Sequence, residues 1–325
     1  MNLFLIRTCK IKTDQKFIFY QLKAKEKYVK SFAIGTATAT ITKNAVKNLD
    51  IDLPPLSTQQ KIVGILSAYD DLIENNTRRI EILEEMARML YREWFVKFRF
   101  PGHESVQFVE SELGLIPEGW EVKKLKEVCK HINYGYTAKA KEIQEKPEEP
   151  KLLRITDIVP SIIDWDKVPY CEIEEGKIHK YLLSEGDIVI ARTGATVGYA
   201  KRLHKRHQKT IFASYLVRLK VDESIVNNEY IGIIIESDEY KEFIKANMTG
   251  SAQPQANAQI MTSLSIIIPP LNLQKMFKEL VTNFLDQKEI LQIKNINLRK
   301  TRDLLLPRLI SGEIDVENLA INTGI

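Results

Sequence analysis

The chain has 325 residues, of which 44% are apolar and 28% charged, with a formal net charge of +4. That is the balance of a soluble globular protein with room for about two domains, and its mild basicity permits nucleic acid without requiring it. Cys9, Cys129 and Cys171 fit no disulfide or zinc spacing, and no apolar run reaches the length of a signal-peptide core or a membrane span, so the expected protein is cytoplasmic, reduced and without membrane contact.

In chain order, the first clear period begins at Ser57. Ile62, Ile65, Tyr69, Leu72, Asn76, Ile80, Leu83, Ala87, Leu90 and Trp94 recur every three or four positions with no internal proline. This predicts a long amphipathic helix capped at Ser57 or Thr58. Continuous to Phe98, it would reach about 60 Å at ~1.5 Å per residue. The stretch LGLIPEGWEVKKLKEVC then opens a segment of β-rich runs: KLLRITDIV, EGDIVIARTG, TVGYAKRL and TIFASYLVRLKV. A helical stretch, NNEYIGIIIESDEYKEFIKANM, and a polar loop, TGSAQPQANAQIM, follow. Strands followed by a helix in one globule predict an α+β domain. A second long helix is predicted from Leu273 to Ile310, where Phe277, Leu280, Phe284, Leu291, Leu298 and Leu305 repeat the stripe. Pro307 should disturb its last turn and Gly312 should stop it.

The chain is internally duplicated. IDLPPLSTQQKIV from Ile51 and IIIPPLNLQKMFK from Ile266 carry one pattern. Pro54 maps to Pro269, a difference of 215, and Leu56 to Leu271, Gln59 to Gln274 and Leu90 to Leu305 keep that register without a gap. Upstream, GTATATI from Gly35 lies over GSAQPQA from Gly250 in the same register. Solenoid units run ~20–50 residues, so the repeated unit here is a domain plus a helix. Two long helices related in this way can bury their stripes against each other, with Ile65, Tyr69, Leu72, Leu83 and Leu90 against Leu280, Phe284, Leu291, Leu298 and Leu305. By the same offset Met1 falls on Leu216, inside the last β run, so the first copy is expected to hold only the end of a domain.

IPEGWEVKKL, SEGDIVIARTGATVG and the LPPL and IPPL junctions before long helices resemble the specificity subunit of type I restriction–modification enzymes. The resemblance covers nearly all of the chain. It implies α+β target-recognition domains joined by two antiparallel coiled-coil helices, with an N-terminally truncated first domain. The boundaries it suggests are a remnant of the first recognition domain (1–55), the first spacer helix (56–100), a linker (101–112), the complete second recognition domain (113–270), the second spacer helix (271–312) and a tail (313–325). It further implies a non-catalytic subunit that binds double-stranded DNA and chooses the site for modification and restriction subunits. Those partners bind S-adenosylmethionine, ATP and Mg, and the assembled complex is an adenine DNA methyltransferase and site-specific deoxyribonuclease. A helix pair near 60 Å exceeds one DNA turn of ~34–36 Å, which suits a spacer between half-sites. A second copy of the chain, or a separate fragment, would supply the missing domain. The alternative is a coiled-coil scaffold without specific DNA binding.

No catalytic constellation emerges from the residues. A base-amino methyltransferase wants Asn, Asp or Ser before Pro-Pro-aromatic, yet Leu53 and Ile268 precede the prolines and leucine follows them. No phosphate-cradling glycine loop with lysine occurs, and His204 and His207 sit among cations that oppose a metal ion. DNA contacts are sought in four segments. AKRLHKRHQK offers Lys201, Arg202, Lys205, Arg206 and Lys209 for phosphates, against an ordinary solvated hairpin. TGSAQPQAN offers Thr249, Ser251, Gln253, Gln255 and Asn257 for base edges, against an ordinary polar loop. NYGYTAKAK adds Tyr134, Tyr136, Lys139 and Lys141, and Arg192 with Thr193 leaves an apolar strand at a turn.

Overall fold

The computed structural model describes residues 6–7, 11–33, 40–160, 162–204, 208–248 and 255–319. The chain divides into two compact units, residues 1–80 with 290–325, and residues 81–289. Two long helices, Leu56–Tyr91 and Leu271–Ile310, contribute to both.

In the first unit, Asp14 caps the helix Gln15–Ala24 by accepting from the N–H groups of Lys16 and Phe17. That helix buries Phe17, Ile18 and Tyr20 among Ile62, Leu66, Leu306 and Leu309 of the long helices. Asp70 meets Arg302, and Asn76 meets Asn295. The partner numbers fall on one helix as they rise on the other, so the pairing is antiparallel. Buried Asn76 donates to Asn295 Oδ1 at 2.9 Å, and Asn295 donates to the Ile73 carbonyl and Thr77 Oγ1, both at 3.3 Å. In the second unit, Glu84 and Lys288 pair at 2.8 Å.

Leu66, Ile73, Ile80, Ala87 and Trp94 are all buried and stand seven apart, the column of a coiled-coil seam. The predicted stripe leaves this seam at two residues. Leu72 is 53% and Leu280 45% exposed, each one position short of buried Ile73 and Val281. A local step of three fits a 3.6-residue period, but a supercoil repeats at 3.5. Of the other predicted packing residues, Leu291 is buried, and Tyr69, Leu83 and Leu298 are half-buried. Ile65 and Leu305 join the core of the first unit, and Leu90 and Phe284 that of the second.

The helix ends also differ from expectation. The first long helix starts at Leu56, and the Pro55 carbonyl accepts from Gln59 N–H at 3.0 Å, so Ser57 and Thr58 lie inside the first turn rather than capping it. It gives way to a π turn at Arg92–Val96 instead of running to Phe98, whose φ is +57°. The wider turn lets two successive residues, Trp94 and Phe95, both bury. The Phe95 ring lies 4.8 Å from that of Tyr230 and 4.9 Å from that of Phe277. Pro307 does not end the second helix, which continues to Ile310 before Gly312 turns out of it at φ +78°. So near a C-terminus a proline forfeits little of the ladder.

The duplication is visible as a pair of matching clamps. Gln59 and Gln274 are each fully buried. Gln59 accepts from Asp14 N–H (2.9 Å) and donates to the carbonyls of Lys12 (3.0 Å) and Pro54 (2.8 Å). Gln274 accepts from Asn227 N–H (2.8 Å) and donates to the carbonyls of Ile225 (3.2 Å) and Pro269 (2.6 Å). Asp14 and Asn227 are the N-caps of Gln15–Ala24 and Asn228–Ile235. In both copies one glutamine on a long helix therefore ties down the start of a shorter helix and the proline junction.

The second unit carries the β structure. Its main sheet is antiparallel, with strands ordered Cys129–Tyr134, Leu216–Val221, Ile188–Ala191 and Ala200–Arg202. All four residues of Ile188–Ala191 are buried. Ile188 and Ile190 pack into one cluster with the aromatic junction, and Val189 and Ala191 into another with Leu153 and Phe212. Alternating side chains thus feed cores on the two faces. Lys151–Leu153 pairs in parallel with Thr210–Phe212, and Glu121–Lys124 pairs with Ser265–Ile268 just before the second proline pair. Of the predicted β run KLLRITDIV, only Lys151–Leu153 is strand. Asp157 accepts from Arg154 N–H at 2.8 Å and closes Ile155–Ile158 into a helical turn. Among the described residues no helix is long and apolar enough to cross a membrane.

Candidate nucleic-acid interface

The candidate interface lies where strands of the main sheet run out. Gly135 follows the strand Cys129–Tyr134, and a Cβ there would collide with the carbonyls of Phe212 and Ala213. Glycine lets the backbones touch, so Gly135 N–H reaches the Leu216 carbonyl and Tyr136 N–H that of Phe212. Arg192 immediately follows Ile188–Ala191. Its N–H donates to the Tyr215 carbonyl and its carbonyl accepts from Ala256 N–H, both at 3.0 Å. Thr193 bridges to Gln255, and Gly194 turns the chain at φ +78°. Tyr134 Oη accepts from Ala258 N–H at 3.0 Å, and the Arg192 guanidinium stacks 4.6 Å from the Tyr134 ring centre.

Three predicted segments thus meet at one edge of one domain, bringing together Tyr134, Arg192, Thr193 and Gln255. Tyr215 stands with them, 61% exposed, and was not anticipated. Its only trace in the sequence is a bulky aromatic interrupting the β run FASYL. Asn257 is adjacent, but its side-chain oxygen accepts from Ile260 N–H at 2.8 Å as a helix cap, leaving only its amide N–H groups for DNA. Tyr136 packs against Tyr181 at 5.2 Å between ring centres. With exposed Lys139 it lines a cleft of about 570 Å³. Lys141 in that cleft is held by Glu145, Glu149 and Glu172, and these hydrogen bonds raise its pKa above the ordinary lysine value. Its ammonium sits among the three carboxylates in the place a metal ion would take.

The basic segment is placed differently from expectation. Lys201 and Arg202 fall in the strand Ala200–Arg202, within the predicted β run TVGYAKRL, but their side chains are largely buried rather than offered to phosphate. Burial pulls the Lys201 pKa down. Arg202 has a side chain only 7% exposed, lies 3.7 Å from Glu229, and fills the space left by the missing side chain of Gly232. His204 faces acid rather than base, with Nε2 2.7 Å from Asp286 Oδ1. Its possible ligand atom lies within 4.8 Å of those of Asp286 and Glu289. Lys209 is exposed and 3.4 Å from Glu148. Lys205, Arg206, Thr249, Ser251 and Gln253 lie outside the described residues.

Residues 2–85 and 117–300 match the family model described as type I restriction modification DNA specificity domain. The chain is 30% identical over 312 residues to the type I restriction enzyme MjaVIII specificity subunit of Methanocaldococcus jannaschii, spanning 94% of this chain and 72% of that protein. It is 28% identical over 308 residues to the MjaIX specificity subunit of the same organism, spanning 94% and 70%. Among solved structures, the type I restriction–modification S subunit from M. genitalium shares the fold, with a TM-score of 0.58 at 16% identity over 93% of this chain and 74% of that one.

Proposed function

This chain belongs to the type I restriction–modification DNA specificity family, and on that premise we propose that it binds duplex DNA and chooses the site at which partner subunits act. It is a specificity subunit rather than an enzyme. Methylation and cleavage, with S-adenosylmethionine, ATP and Mg²⁺, belong to modification and restriction subunits, in the cytoplasm. The observation that carries the DNA reading is the convergence of Tyr134, Arg192, Thr193, Tyr215 and Gln255 on one edge. Aromatic faces, a guanidinium, a hydroxyl and an amide are the groups that meet bases.

Residues 113–270 form the reader, 56–100 and 271–312 the spacer segments built on the two long helices, and 1–55 the counterpart of the reader's C-terminal part. The paired Gln59 and Gln274 clamps support that correspondence. These 325 residues hold one such reader, and a second would come from another copy of the chain, from a separate fragment or from residues outside this sequence. Two copies related by a two-fold axis would present identical readers to an interrupted palindrome. Methylation mapping in cells holding this chain as sole specificity subunit tests this. An interrupted palindrome supports the two-copy assembly, two unrelated halves support a second, different reader, and no motif refutes the DNA reading.

A further inference from the structure

Several arginines among the described residues are held by carboxylates, as Arg88 is by Glu85, Arg154 by Asp157 and Arg308 by Glu313. Arg192 is held otherwise. Its guanidinium lies over the Tyr134 ring, and among the described residues its buried Nε finds no hydrogen-bond partner and no carboxylate pairs with it. The support beneath it is fixed at several points. The Tyr134 hydroxyl is tied to Ala258 N–H, and the Arg192 backbone is tied to Tyr215 on one side and Ala256 on the other. With Nε buried, the two Nη groups are the donors a ligand can meet, and they form the end of a planar fork.

Resting on the reading of this edge as a DNA interface, we propose that Arg192, pre-oriented by Tyr134, reads a guanine, so that the half-site chosen by this domain contains a G·C pair at one position. Two parallel donors in a plane match the O6 and N7 acceptors of guanine in the major groove, the commonest specific protein–DNA contact. A phosphate offers similar oxygens. Its neighbours Thr193, Gln255 and Tyr215 can meet either phosphate or base edges, so the choice rests on the paired donors of Arg192 and on the sequence dependence measured below. Stacking also limits the rotamer freedom lost on binding, which favours a directional contact.

The test is selection of a randomised duplex library by the full chain, comparing wild type, Arg192→Ala and Arg192→Lys. Wild type should enrich a motif containing guanine. Arg192→Ala should lose the guanine preference at a single position and bind the best wild-type duplex roughly 5- to 150-fold more weakly, the range for one bidentate base contact. Arg192→Lys, which can still donate to guanine but without the planar fork, should weaken binding less and keep part of the preference. Replacing that guanine with 7-deazaguanine, which lacks the N7 acceptor, should weaken wild type and leave Arg192→Ala unaffected. Arg192→Lys keeps the charge, so its melting temperature and its salt slope should match wild type and separate a lost fork from a lost fold. If Arg192→Ala reproduces the wild-type motif, or weakens binding equally on every sequence with a shallower salt slope, Arg192 is a phosphate contact or a bystander and this inference fails alone. If wild type enriches nothing, the DNA reading fails and takes this inference with it.

Discussion

Replacing Gln274 with Ala should destabilise the second unit more than any surface change. The side chain is fully buried and makes three hydrogen bonds, so truncation strands the Asn227 N–H and two carbonyls in a site closed to water. A buried donor left without a partner costs about 1–3 kcal/mol, while a carbonyl with a second lone pair suffers less. Adding the cavity left by the lost methylenes brings the total to about 3–5 kcal/mol. Trp94, Trp120 and Trp165 all lie in residues 81–289, so urea unfolding followed by tryptophan fluorescence reads the affected unit. Gln274→Glu separates hydrogen bonding from volume. One carboxylate oxygen can still accept from Asn227, but the other faces the Ile225 and Pro269 carbonyls. The folded state should therefore raise this carboxyl's pKa above its unfolded value of about 4.3 and bind the extra proton. Its stability should rise as pH falls through that raised value, opposite to an ordinary buried ion pair. A loss below about 1 kcal/mol for Gln274→Ala, with no acid rescue of Gln274→Glu, would show that the clamp does not hold this junction.

Asp70 lies under burial, which opposes its ionisation, but hydrogen bonds from Tyr20 and Arg302 prevail and hold its carboxyl below the ordinary aspartate range. Its contribution is present above the unfolded pKa and is lost as pH falls through the lowered folded value, so Asp70→Asn should flatten the acid limb of a thermal-stability profile. Replacing Asn76 and Asn295 together with Leu should raise the melting temperature while loosening helix register, seen as mixed oligomers by size-exclusion chromatography, since a buried amide pair fixes register at some cost in stability. Arg202→Ala should lower the melting temperature because it strips a buried partner from Glu229. Lys209→Ala should leave stability alone and, if Lys209 meets a phosphate, make the log–log salt slope of DNA binding shallower by about 0.9.

The duplication and the long helices could be read from the chain because both are patterns in register: a constant offset, and a stripe of period near 3.5. The same reading could not say what Gln59 and Gln274 do. They appear as polar marks within a repeat, and their role depends on Asp14 and Asn227, which are 45 and 47 residues away. Leu72 and Leu280 were misassigned because a period of 3.6 and one of 3.5 diverge by only a fraction of a turn over short stretches. At the candidate site, Arg192, Thr193 and Gln255 were each legible as residue types but not as a group, since no periodicity links residue 134 to 192 or 255. The basic segment misled for a different reason. Local charge density does not report which way a strand turns its side chains, and the space opposite Arg202 is set by Gly232, thirty residues on.

That contrast bears on how a protein with this fold can change what it reads without losing its shape. The strand before Arg192 is buried on both faces, and the backbone on either side of Arg192 is bonded to Tyr215 and Ala256. Position is therefore set by main-chain hydrogen bonds that any side chain but proline would allow, while the chemistry of the candidate edge is set by the side chains at residues 134, 192, 193, 215 and 255. The clamps at Gln59 and Gln274 act the other way round. Their side chains hold the frame, and their substitution costs stability before it could alter recognition. Substitutions at exposed Tyr215 and Gln255 are cheap because loss of an exposed side chain leaves no cavity and few stranded polar groups. Gly135 is the exception within the edge. Any side chain there would push Tyr134 off the strand to which it is paired, and Arg192 would lose the ring on which it rests.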